Sequence, residues 1–219
     1  MSITARPARY DAGELAADRL IHLTGLVLGC VGALTLLGIA ARDDGPRVFL
    51  ASLIYTAALL AMLGCSAKYH LAAVPARRAF WRRADHAAIF LLIAGTYTPF
   101  TVCRLHGGWA IGLTAAVWTG ALGGAAVKLA GPVRSSAFST AAYIALGWIA
   151  LAGIRPILDA VDTLSLILVG IGGAVYSIGA GIHHWRSLRF HNAIWHAMVL
   201  AAACCHFAAV LHGVVLARS

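Results

Sequence analysis

The sequence predicts an all-α bundle of seven membrane-crossing helices with its N-terminus in the cytoplasm. Three observations predict it. Of 219 residues, 61% are hydrophobic and only 11% charged, against about 25% charged in a soluble domain. The apolar residues fall in seven runs, each near the ~20 residues that cross a bilayer core as a helix. The runs lack the period-two alternation of barrel strands, and in lipid a helix pairs every backbone polar group within its own segment.

The helices are expected at about 19–41, 48–72, 86–104, 108–130, 137–155, 163–184 and 192–216. A short cytoplasmic segment, 1–18, precedes them. The breaks carry turn chemistry: Asp43-Asp44-Gly45-Pro46, Pro75, Gly107-Gly108, Gly131-Pro132 and Pro156. With no repeat and no composition shift, residues 1–219 read as one integral membrane domain. Both signs of charge occur among the first 19 residues, and the apolar run after them exceeds a signal-peptide core. The first helix is therefore expected to stay and act as the insertion signal.

Loop charge sets the direction. With the N-terminus inside, the inner segments hold eleven Lys and Arg, among them Arg6, Arg9, Arg82, Arg83 and Arg134. The outer side holds five: Arg42, Arg47, Arg104, Arg155 and Arg218. Short loops with this bias place the N-terminus in and the C-terminus out, in the cell (inner or plasma) membrane. The net charge of +9 lies in those loops and fits anionic lipid headgroups. It forms no basic domain for a phosphate backbone, so nucleic acid is excluded as a partner. Membrane lipids are the expected partners; a homo-oligomer is compatible with the sequence but not indicated by it. Five cysteines without CxxC spacing argue against a disulfide framework or a thiolate zinc site.

Within the runs, the pairs Gly25/Gly29, Gly120/Gly124 and Ser177/Gly181 mark close helix contacts. Trp81, Trp109, Trp185 and Trp195 fall where an interfacial aromatic belt would lie. In the third helix Pro99 should bend the chain, with Thr96 available to a freed carbonyl.

The polar residues carry the functional reading. Ionisable groups at membrane depth are expensive and are functional by default. His70 ends the second run, Asp85 and His86 open the third, and His196 lies one turn into the seventh. The topology brings all of them to the inner side, where His22, His183, His184 and His191 also fall. Ser66 and His70 are four apart, as are Asn192 and His196, so each pair shares a helix face. Neutral imidazoles suit zinc, and three protein ligands with an open position define a catalytic zinc site. Zinc brings the pKa of its water to about 7. Asp85 would orient that water or act as general base, and Ser66 would donate to a substrate oxygen or hold the water. Against this stand plainer roles. His22, His183, His184 and His191 suit an interfacial position, Asp85 suits a helix N-terminal charge, and Lys68 suits a snorkelling side chain. His206, about 15 Å beyond His196 along the helix, suits a buried hydrogen-bonded imidazole.

At these residues the chain resembles the hemolysin III branch of the progestin and adipoQ receptor family. The matching stretches are Ser66 to His70, Asp85 to Phe90 running into Ala94 to Phe100, Ala193 to His196, and Cys205-His206-Phe207. The likeness covers nearly the whole chain. It implies seven helices with a cytoplasmic N-terminus. It also implies a zinc ion bound by the His ending helix two and by two His four apart in helix seven, with the preceding Ser and the helix-three Asp beside the metal-bound water. His70 and His196 would then be ligands, and Ser66 and Asp85 the catalytic pair. The departure is Asn192, which stands where the family pattern has His. An amide oxygen is a poor replacement for imidazole on zinc. Either His191, His206 or Asp85 supplies the third donor, or the site holds metal weakly through Asn192.

Two functions follow from the resemblance. One is a zinc-dependent hydrolase of a lipid amide or ester, laid out like the alkaline ceramidases. The other is a non-enzymatic protein of membrane energetics or lipid homeostasis. A cytolysin is the least favoured, because the chain reads as having no export signal and almost no soluble surface.

Overall fold

A computed structural model describes residues 11–43, 45–71, 74–131 and 136–217. Arg6, Arg9, Asp44, Pro132, Arg134 and Arg218, used above for turns and orientation, lie outside them. The described residues are all helical in their ordered elements, and seven segments are long and apolar enough to cross a membrane. The elements are α1 (Ala12–Asp43), α2 (Pro46–Leu71), α3 (Pro75–Cys103), α4 (Gly107–Ala130), α5 (Ser136–Gly147), a 3-10 turn (Ile149–Gly153), α6 (Ile154–Ala160), α7 (Thr163–His184) and α8 (His191–Val210). A π-helical turn, Leu211–Val215, extends α8.

Helix α3 is the centre of the bundle. One face joins a core with Leu36 and Ala40 of α1, Tyr55, Leu59 and Met62 of α2, and Ala203 and Val210 of α8. The other face packs Phe90 and Ala94 against Val117, Ala121 and Ala125 of α4 and Leu146 of α5. It is both the least apolar span and the most buried one, because polar groups in a membrane protein turn away from lipid. Helix α1 lies between α2 and α8 and turns Leu20, Val27 and Leu34 outward.

Three boundaries differ from the sequence expectation. The first helix begins at Ala12, not near 19, because Asp11 and Glu14 form a reciprocal cap. The Glu14 N–H donates to Asp11 Oδ1 at 2.7 Å, and the Asp11 N–H donates to Glu14 Oε2 at 2.9 Å. The third helix begins at Pro75, not 86. Proline is pre-set for the first helical position, and the Arg-rich stretch behind it consists of good helix formers. Asp85 is therefore well inside α3, and the N-terminal charge reading of it fails. The fifth span is broken between Gly147 and Ile154. Tyr97 of α3 repairs that break: its hydroxyl donates to Gly147 O at 2.7 Å and accepts from the Ala150 N–H at 3.0 Å.

Helix α3 continues through Pro99 to Cys103. The carbonyl that Pro99 leaves without its helical donor is that of Gly95, whereas the Thr96 hydroxyl donates to Leu92 O at 2.8 Å, so the expected repair by Thr96 does not occur. Small residues do mark close approaches. A Cβ on Gly29 would come within 2.5 Å of Leu63, and one on Gly124 within 2.5 Å of Phe90. A Cβ on Gly181 would meet nothing within 4 Å among the described residues, so that position marks no close approach.

Candidate metal centre

The chain direction puts the start of α1, the end of α2, the start of α3 and the start of α8 at one end of the bundle. Local chemistry then fixes α1 against α8. The Phe190 N–H donates to Glu14 Oε1 at 2.9 Å, and Arg189 pairs with Asp11 at 2.8 Å. Phe190 itself takes a left-handed backbone, φ 62°, which reverses the chain into α8.

Four side chains converge there. Asp18 and His22 come from α1, His70 from α2 and His196 from α8, and each offers one donor atom within 4.8 Å of the others. His196 Nδ1 lies 2.6 Å from Asp18 Oδ1, and His70 Nδ1 lies 3.0 Å from Asp18 Oδ2. The three imidazole rings meet edge to face, with centroids 4.7 Å apart for His22 and His70 and 4.4 Å apart for each of those with His196. Asp18, His22 and His196 are buried.

Ser66 and Asp85 lie alongside. Both are buried, and Asp85 lies close enough to Ser66 and His70 to interact with both. A cavity of about 30 Å3 is lined by His22, Ser66 and His196 together with the apolar Met62, Leu63 and Leu200. It has room for a water or a single substrate oxygen.

The remaining expected residues lie elsewhere. His191 is the first residue of α8 and its Nδ1 is 3.2 Å from Leu188 O; it is outside the four-residue group. Asn192 is half-buried in the turn before His196. His206 uses Nε2 against Val169 O at 3.2 Å. Lys68 sits over the Trp81 ring, 4.4 Å from its centroid.

Comparison with known proteins decides the family. The model described as "Haemolysin-III related" matches residues 17–207. The chain belongs to that family. This haemolysin-III related chain is 33% identical to "Hemolysin-3" of Bacillus cereus over 200 residues, 90% of each chain. It is 30% identical to "Hemolysin-3 homolog" of Bacillus subtilis (strain 168) over 202 residues, 92% of this chain and 95% of the relative. No solved structure matches it. Family and fold together make it a multi-pass integral membrane protein.

The sequence reading of this haemolysin-III related protein missed Asp18 and His22 as members of the site. Their signal was the same as that of Ser66 and His70: two polar residues four apart at the end of an apolar run. Drawing the helix start at 19 hid it by leaving Asp18 in a loop.

Proposed function

We propose that this protein is a metal-dependent hydrolase of lipid amides or esters, working at the cytoplasmic end of the bundle. The observation that carries the reading is the meeting of three imidazoles and a carboxylate from α1, α2 and α8 with a Ser–Asp pair beside them.

The donor set suits zinc. It is rich in imidazole, and His22 Nε2 is buried with no hydrogen-bond partner among the described residues, which costs free energy unless something takes up that nitrogen. When bound, such an ion polarises a carbonyl oxygen and acidifies water. The chain's own residues do the rest. Asp85 accepts or returns a proton at its carboxylate. Ser66 stands beside that carboxylate and lines the cavity. Met62, Leu63 and Leu200 give the cavity apolar walls, which strengthens every charge interaction within it.

The positive-inside bias supports the cytoplasmic placement. A lipid substrate suits a site at the end of a bundle whose outer surface is apolar. The test is release of fatty acid from amide-linked and ester-linked lipids by the purified, zinc-loaded protein. Activity lost in His196→Ala and Asp85→Asn is expected. A metal-loaded protein that releases no fatty acid from either class would overturn the reading and favour the non-enzymatic role in membrane homeostasis.

A further inference from the structure

The role of Asp18 decides what kind of centre this is. Four protein ligands close a tetrahedral zinc site and make it structural, whereas three leave the position that catalysis needs. The following inference rests on the metal reading above and concerns which atoms hold the ion.

We propose that Asp18 is a positioning residue and not a ligand. It holds the Nδ1 atoms of His70 and His196 and leaves their Nε2 atoms, with that of His22, as a three-imidazole donor set. Distance argues for it. Two donors bound at 2.0–2.1 Å to one tetrahedral ion lie roughly 3.3 Å apart. The Asp18 oxygens are 2.6 and 3.0 Å from the two Nδ1 atoms, both short of that separation and within hydrogen-bond reach. Each oxygen serves one ring. A carboxylate only accepts, so each imidazole donates Nδ1–H and keeps its lone pair on Nε2. Carboxylates of this kind commonly orient metal-binding histidines from behind.

His22 completes the set. It is 7% exposed, and its Nε2 has no other partner among the described residues. Three rings around a tetrahedral ion at about 2 Å hold their centroids roughly 5 Å apart, close to the separations of 4.4 and 4.7 Å. The imidazole that Asn192 denies to α8 is thus supplied from α1. With three imidazoles holding the ion a fourth position would remain for an outside ligand, and His22 and His196 also line the cavity they share with Ser66.

The experiment uses the full-length protein in detergent, loaded with cobalt(II) in place of zinc. X-ray absorption counts the imidazoles, and the visible bands report whether azide enters the coordination sphere. Wild type is expected to show three imidazoles and an azide-dependent spectral change. Asp18→Ala should keep the same bands while cobalt affinity falls about 10–100-fold, and His22→Ala should show two imidazoles. Two imidazoles in wild type, no response to azide, or no cobalt uptake would overturn the proposal, as would altered bands in Asp18→Ala. The wild-type spectra decide the matter even where a variant fails to fold. A three-imidazole, azide-responsive protein that hydrolyses no lipid would sink the hydrolase reading and leave this one standing.

Discussion

His196 Nδ1 donates to Asp18 Oδ1 at 2.6 Å, although the two residues stand 178 positions apart in sequence. The bond joins the first span to the last. It closes the bundle on the side where α1 lies between α2 and α8, and so brings a residue the hydropathy pattern assigns to a loop into the polar centre.

If α1 supplies the third imidazole, His22→Ala should lower metal content in the purified protein. Adding Asn192→His should restore it, because residue 192 shares a face with His196. Elemental analysis of the two variants checks this. Unchanged metal in His22→Ala would remove His22 from the site.

Asp85 and Ser66 are expected to act on substrate and not on the ion. Asp85→Asn should keep its metal while fatty-acid release falls by about 10²–10⁴-fold, the usual contribution of a general base. Ser66→Ala should fall less. Loss of the metal in Asp85→Asn would make Asp85 a ligand.

Phe190 enters α8 with φ 62°, a conformation that costs an L-residue about 1–2 kcal/mol. Phe190→Val should therefore unfold at lower temperature in detergent, since a β-branched side chain resists that backbone most. Phe190→Gly should hold or raise the melting temperature. A valine that melts with wild type would show that the left-handed turn is not retained.

At the other end of the bundle, Asp162 caps α7 by accepting from the Ser165 N–H at 2.9 Å, and it lies 3.2 Å from His212 Nδ1. Burial acts to raise its pKa, but the bonds from Ser165 and the nearby His212 prevail and hold it below the ordinary 3.8. A folded pKa below the unfolded one stabilises the native state above pH 3.8, and that contribution disappears as the pH falls through the lower folded value. Asp162→Ala should cost about 1 kcal/mol at neutral pH. The gap between the variant and wild type should narrow in acid. Thermal unfolding at pH 6 and pH 3 checks both; a gap that widens in acid contradicts the assignment.

Seven spans were legible in the sequence because bilayer thickness fixes the length of an apolar run. His70, Ser66, Asp85 and His196 stood out because each is polar at the end of such a run, at helical spacing. Asp18 and His22 did not. The cap that carries α1 back to Ala12 is a local hydrogen-bond exchange that hydropathy does not register. The adjacency of α1 to α8 is tertiary, and helices apolar on every side give no periodic sign of which face meets a neighbour and which meets lipid. The vacancy at Asn192 was readable; the residue that fills its role was not, for the same reason. The break in the fifth span was hidden because its repair comes from Tyr97, fifty residues away from Gly147.

The most direct measurement is the metal content of the wild-type protein, purified in detergent, exposed to excess zinc and then passed through a desalting column. One tightly held ion per chain, lost in His70→Ala and in His196→Ala, is the expected result. A wild-type protein that retains no ion, or one that retains it equally in both alanine variants, would contradict the account.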